Sequence, residues 1–272
     1  MSDMSKRKLL IITTEYFHPT RFRLHYMLPY LRKVFDIKLI AIAPLTYDLD
    51  FSGDGRITSR KNVLSALRKL PQTLTRMIDE RDKELVIVRT PFPGIILSWL
   101  YALSTALYVA VLMKLRRMHR GFDACLATVN FAGFCTLLAK MPLPTIYEDV
   151  DRCEYFYRGN LARRISRFVE AYCIRNSTEV VSAGYALAES AQTLRGRTVH
   201  CVPNGIDVGM FEGLLAETSM FARDRNFLVY VGFIDRWSGL DKAINALALT
   251  CSEFPNTRLN IAGRGTSVVE LK

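Results

Sequence analysis

VPNGIDVGMF at 202–211, FLVYVGFIDRWSGLDKAINALA at 227–248 and RLNIAGRG at 258–265 govern how this 272-residue chain is read. The first segment leaves an apolar run through the Asn204-Gly205 turn. The second is an apolar strand closing at Gly232, followed after Gly239 by a helix with one apolar side. The third is a strand closing at Gly263-Arg264-Gly265. Strand, helix, strand at this spacing is a β-α-β unit, and it begins after a polar stretch at 212–226. The reading is therefore two domains: 1–211, a linker at 212–226, and an incomplete second domain at 227–272.

The same alternation fills the preceding 200 or so residues. Short runs rich in β-branched residues predict strands near 8–13, 36–42, 84–89, 122–127, 144–148, 177–182 and 197–202. Helical patterns fall near 21–34, 60–80, 94–118, 131–140, 160–174 and 184–194. Strands that are apolar on both sides and separated by helices predict an α/β fold, a Rossmann-like parallel sheet with helices on both faces. The start of a second such domain follows it. Ligands of such sheets lie at the carboxyl ends of the strands, which directs attention to the loops that follow each one.

Charge is lopsided. Residues 1–120 hold 21 of the 37 Lys and Arg but 10 of the 26 Asp and Glu, so the whole net charge of +11 lies there. Such a field favours an anionic partner: a phosphorylated substrate, an anionic lipid surface or nucleic acid. A merely soluble basic surface is the plain alternative. No recognised nucleic-acid motif accompanies the charge, so no nucleic-acid partner is expected. Cys125, Cys135, Cys153, Cys173, Cys201 and Cys251 form no C-x-x-C pair. They read as buried free thiols in a reducing compartment, with no metal site.

Two segments suggest a membrane surface. Residues 95–113 carry no charge and are followed by Lys114, Arg116, Arg117 and Arg120. A true span would part strands that belong to one sheet, so a helix buried or partly dipped into a bilayer is expected. At 60–80, Val63, Leu67, Leu70, Leu74 and Met77 recur at helical spacing with Lys61, Arg68, Lys69 and Arg76 off the stripe, although Pro71 interrupts it. An ordinary surface helix packed on the sheet is the alternative.

The NGID turn at 204–207, VGFIDRWSGLDKAI at 231–244, FPNTRLNIAGRG at 254–265 and the spacing of Pro144, Tyr147, Glu148 and Asp151 resemble family 4 glycosyltransferases of the GT-B fold. The resemblance is weak through 1–140 and strong through 197–265. It implies sugar transfer from a nucleotide-sugar donor to a lipid-linked or polysaccharide acceptor, with retained anomeric configuration and without a metal or other cofactor. It also implies an acceptor-side first domain, a donor-side second domain and a cytoplasmic protein at the inner face of a membrane. The family's paired glutamates, which contact the donor, lie downstream of its equivalent of Gly265, so a fragment lacking most of the donor site is expected. Where the family commonly has an arginine and a lysine, this chain has Phe233 and Ser238. Those departures favour the alternative of a non-catalytic membrane- or partner-binding module.

Candidate residues follow. Glu148 and Asp151 are the expected catalytic pair, orienting an acceptor hydroxyl or acting as a base; a strand end and a turn cap are their plain alternatives. His18, Arg21 and Arg23, in and after the first strand's loop, are expected at the acceptor. Gly232, Arg236, Gly263 and Gly265 are expected at the donor, where a cation and close backbone approach offset charge on a leaving diphosphate. Asn204, Gly205 and Asp207 are expected to shape the interdomain turn.

Overall fold

The computed structural model describes residues 6–14, 23–44, 78–90, 98–156, 159–206, 208–211, 227–265 and 267–271. It divides into two compact units, Met1–Asn204 and Gly205–Lys272. The expected linker at 212–226 lies outside the described residues.

The first unit is an eight-stranded sheet. Its strands are β1 (Arg7–Thr13), β2 (Phe35–Pro44), β3 (Ile78–Glu80), β4 (Leu85–Thr90), β5 (Ala124–Thr128), β6 (Thr145–Asp149), β7 (Glu179–Ser182) and β8 (His200–Cys201). Among the described residues five helices join them: α1 (Arg23–Val34), α2 (Ser98–Leu115), α3 (Val129–Ala139), α4 (Asn160–Asn176) and α5 (Tyr185–Arg195). The strand order is β3-β4-β2-β1-β5-β6-β7-β8, parallel except for β3. The order grows outward from β1 in one direction, then from β5 in the other. The β1/β5 border is thus the topological switch point, where such sheets open a crevice at their carboxyl ends.

Alternation along the strands explains both layers. Leu10, Ile12, Ile40, Ile42, Val86 and Val88 face the core shared with α2, α3 and α4. Leu9, Ile11, Leu39 and Ala41 face the other way, against Leu24 and Leu28 of α1. Neighbours in a strand point to opposite faces, so two apolar residues in a row mean two covered faces. Each fully buried Leu or Ile contributes about 1.5–3 kcal/mol.

The expectation from sequence is corrected at one element. Residues 60–77 of the expected helix lie outside the described residues, but its last three, Ile78–Glu80, form an antiparallel edge strand on β4, with Ile78 opposite Val88. Pairing with an open sheet edge overrode a local helical pattern. Of the apolar run 95–113, residues 98–113 lie in α2, with Ala106, Val109, Ala110 and Met113 buried against the sheet. Among the described residues, no helix is long and apolar enough to cross a membrane. Cys125, Cys135 and Cys173 are buried free thiols, whereas Cys251 is exposed.

The second unit holds β9 (Phe227–Phe233), α6 (Leu240–Thr250) and β10 (Arg258–Arg264). The two strands are parallel, with Gly232 opposite Gly263. A Cβ on Gly263 would lie 1.8 Å from the Gly232 carbonyl oxygen, and one on Gly265 would lie 2.1 Å from that of Ile234. Both glycines are thus required by the contact of one strand end with the other.

Candidate functional site

Hydroxyls or carboxylates end five of the parallel strands of the first unit. Thr13, Thr90, Thr128, Asp149 and Ser182 close β1, β4, β5, β6 and β7, and all five are buried. At the switch point the Thr128 hydroxyl donates to Oγ1 of Thr13 at 2.8 Å. Thr128 is also the residue before α3, where a threonine commonly caps the helix; here it makes no side-chain cap. The next residue, Val129, holds φ at +61°. A β-branched residue in the left-handed region costs about 1–2 kcal/mol. The β5–α3 junction therefore gives up a cap and holds strain at the carboxyl edge, as backbones at binding sites often do.

Glu148 and Asp149 are consecutive in β6, so their carboxylates leave opposite faces of the sheet. Glu148, 2% exposed, turns to α1. Arg23, the first residue of α1, donates its Nε to Glu148 Oε1 at 2.7 Å and its Nη1 to Oδ1 of Asn204 at 3.0 Å. Burial raises the Glu148 pKa above its ordinary value, and the Arg23 hydrogen bond and charge only partly offset that rise. Oε2 of Glu148 accepts no hydrogen bond among the described residues.

Asp149, fully buried, turns to the α4 side. Its Oδ2 accepts from the Ser182 hydroxyl at 3.1 Å. Its Oδ1 accepts no hydrogen bond among the described residues, and the Arg152 guanidinium stands 3.6 Å away. Arg152 also pairs with Glu170 of α4. Burial pushes both carboxylates up, with Arg152 opposing it in each case, and holds the Cys153 thiol up at about 12. Burial thus disfavours the Cys153 thiolate. Nearby, the side-chain amide of Asn130 donates to Ser166 Oγ at 3.3 Å.

Of the residues expected from sequence, Arg23, Glu148 and Asn204 come together as one hydrogen-bonded set. Asp151 is exposed beyond the end of β6. His18, Arg21 and Asp207 lie outside the described residues. Gly205 has open space around its Cα. In the second unit Gly232, Gly263 and Gly265 gather where β9 and β10 end, and Arg236, exposed, follows in a single turn of 3-10 helix (Arg236–Ser238) before α6. Sequence reasoning missed Thr13, Thr128, Asp149, Arg152, Glu170 and Ser182. The signal available for the strand-end residues is that the apolar runs of β1, β4, β5, β6 and β7 close on a hydroxyl or a carboxylate. Among the described residues, no group of His, Cys, Asp and Glu is placed to hold a metal ion.

No family model matches the chain, and no curated protein matches it. Among solved structures it is similar to sucrose-phosphate synthase from Thermosynechococcus elongatus, with 13% identity and a TM-score of 0.59 over 94% of this chain. It is also similar to UDP-N-acetylglucosamine 2-epimerase from Rickettsia bellii, with 11% identity and a TM-score of 0.44, covering 94% of this chain and 62% of that one. A third is a ugt transferase from Siraitia grosvenorii in complex with UDP, with 8% identity and a TM-score of 0.43, covering 95% of this chain and 74% of the other. The chain spans 62% of the length of the sucrose-phosphate synthase. That first likeness shows the fold, a Rossmann-like α/β architecture.

Proposed function

We propose that the protein is a glycosyltransferase that moves a sugar from a nucleotide-sugar donor to a lipid-linked or glycan acceptor, in the manner of the family 4 enzymes its sequence resembles. The observation that carries this reading is the buried Arg23–Glu148 pair beside the switch point of a GT-B-type sheet. A carboxylate whose pKa is raised toward the working pH is suited to take a proton from an acceptor hydroxyl. Arg23 fixes one oxygen of Glu148, and the other is assigned to that hydroxyl. Asp151, His18 and Arg21 are assigned to the same acceptor side.

In the proposed reaction the bond from the anomeric carbon to the diphosphate oxygen breaks. A bond to the acceptor oxygen forms with retained configuration, and the acceptor's proton passes to Glu148. The nucleoside diphosphate leaves with added negative charge. Gly232, Gly263, Gly265 and the cation Arg236 are assigned to the donor side. Arg236 stands shortly before α6, whose N-terminus adds partial positive charge. No residue in this scheme requires a metal or another cofactor. The proposed place of work is the cytoplasmic face of a membrane.

A second reading, a non-catalytic module of the same fold, is favoured by Phe233 and Ser238 and by the glycines that β9 and β10 need for their own contact. Calorimetric titration with a panel of nucleotide sugars separates the two. The transferase reading expects saturable heat with at least one donor below millimolar concentration, weakened about tenfold or more by Arg236→Ala. No heat with any donor would leave the module.

A further inference from the structure

A second charged site lies toward the amino ends of the strands, away from Glu148. A cavity of about 700 Å³ opens on the α2 face of the sheet, bounded by the end of α2 and by β2, β3 and β4. Leu10, Ile40 and Phe122 give it an apolar floor, and among the described residues Lys38, Arg116, Arg117 and Arg120 line it against one carboxylate, Glu80. None of the four cations is ion-paired among the described residues.

Two of the cations occupy positions that a merely solvated surface would not select. Lys38 sits opposite Leu10 in register, on the side of β2 that continues as Ile40 and Ile42, and it is half-buried. A lysine on a core-facing row needs either water or an anion at its ammonium. Arg117 ends α2: its N–H donates to the Lys114 carbonyl at 3.1 Å, and that of Met118 donates to the Met113 carbonyl at 3.1 Å. This is the Schellman turn, which places Arg117 at φ +52°. Glycine takes that position without steric cost, and arginine does not. The turn accepts that strain and gains a guanidinium on the cavity wall.

The third observation is on α2 itself. Opposite its buried side, Leu107, Val111 and Leu115 recur at every fourth residue and are 59%, 48% and 74% exposed. The stripe ends at Leu115, and the next two residues line the cavity. An outward apolar stripe running directly into a basic cavity matches a phospholipid surface, where acyl chains adjoin phosphates. Four cations of the basic first part, Lys38, Arg116, Arg117 and Arg120, thus stand beside the end of the apolar helix α2.

We infer that the cavity binds the phosphate of an anionic phospholipid headgroup, with Leu107, Val111 and Leu115 entering the adjoining acyl layer. The site is distinct from the Glu148 cluster, and its test does not require sugar transfer.

The full chain is sedimented with vesicles of phosphatidylcholine alone or of phosphatidylcholine mixed with phosphatidylglycerol. Binding is expected with the mixed vesicles only. Lys38→Ala combined with Arg117→Gly is expected to weaken it by about tenfold or more, whereas Arg164→Ala with Lys242→Ala, which removes the same charge elsewhere, stays within about twofold. Arg117→Gly suits the turn, so this variant should melt at or above the wild-type temperature once Lys38 is restored. Leu107→Ser with Val111→Ser should also release the vesicles. Equal loss in the charge control, or unaltered binding by the Lys38/Arg117 variant, overturns the site. Saturable binding of inorganic phosphate without vesicle binding assigns the cavity to a soluble phosphate and overturns the lipid. Self-association that Leu107→Ser abolishes, without vesicle binding, assigns the stripe to a second copy and also overturns it.

Discussion

Arg23 and Glu148 stand 125 residues apart in the chain and meet at 2.7 Å, with side chains 10% and 3% exposed. The pair ties the first turn of α1 to the carboxyl end of β6. It also holds down part of the rise that burial gives the Glu148 pKa.

Removing one member of a buried pair leaves the other as an uncompensated charge. Arg23→Met is expected to lower stability by about 3–5 kcal/mol, and the double variant Arg23→Met/Glu148→Leu by clearly less. Denaturant melts of the four species form a cycle with a coupling of about 1–3 kcal/mol. Additive losses would mean that the two side chains do not interact in solution.

The pH dependence has a definite sign. Burial raises the folded pKa of Glu148 above 4.5, so the native state holds this proton more tightly than the unfolded state does. Stability assigned to Glu148 is then greatest below the unfolded value. It falls as pH rises from the unfolded value to the folded one, by about 1.4 kcal/mol for each pH unit that separates them. Glu148→Gln has no proton to lose, so its melting temperature should gain on the wild type as pH rises from about 4.5 toward neutrality. Asp149 and Glu170 move in the same direction and cancel in the difference. A difference that is flat or of opposite slope would refute the raised pKa.

Much of this architecture is legible in the sequence, and the illegible part has physical causes. Runs such as KLLIIT and ELVIVR announce strands covered on both faces, because only a doubly covered sheet wants unbroken apolar strands. Arg23 is visible as a cation opening the helix after the first strand's loop and Glu148 as a carboxylate near a strand end, but their pairing is not, since it depends on β6 lying two strands from β1. Asp149 is hidden by its neighbour: in an alternating strand, two adjacent carboxylates look like one buried and one solvated, and here both are buried. Its cation, Arg152, comes from a loop and is shared with Glu170 of a helix, and neither has a sequence pattern in common with it. The edge strand Ile78–Glu80 exists only because β4 offers an open edge, which no local pattern encodes.

Packing behind the site gives a third expectation. A Cβ on Gly133 of α3 would lie 2.8 Å from the Tyr147 ring and 3.1 Å from the Cys173 sulfur. Gly133→Ala should cost about 1–3 kcal/mol by forcing α3 away from β6. Gly205→Ala, where nothing lies within 4 Å, should stay within about 0.5 kcal/mol. Denaturant midpoints check both, and equal effects would contradict the close approach of α3 to the sheet.

Sugar transfer by Glu148→Gln, followed as nucleoside diphosphate release with a donor that the wild type binds, decides whether Glu148 receives the acceptor's proton. If it does, kcat falls by about 100-fold or more while donor affinity stays within about threefold. Unchanged turnover in that variant would contradict the assignment.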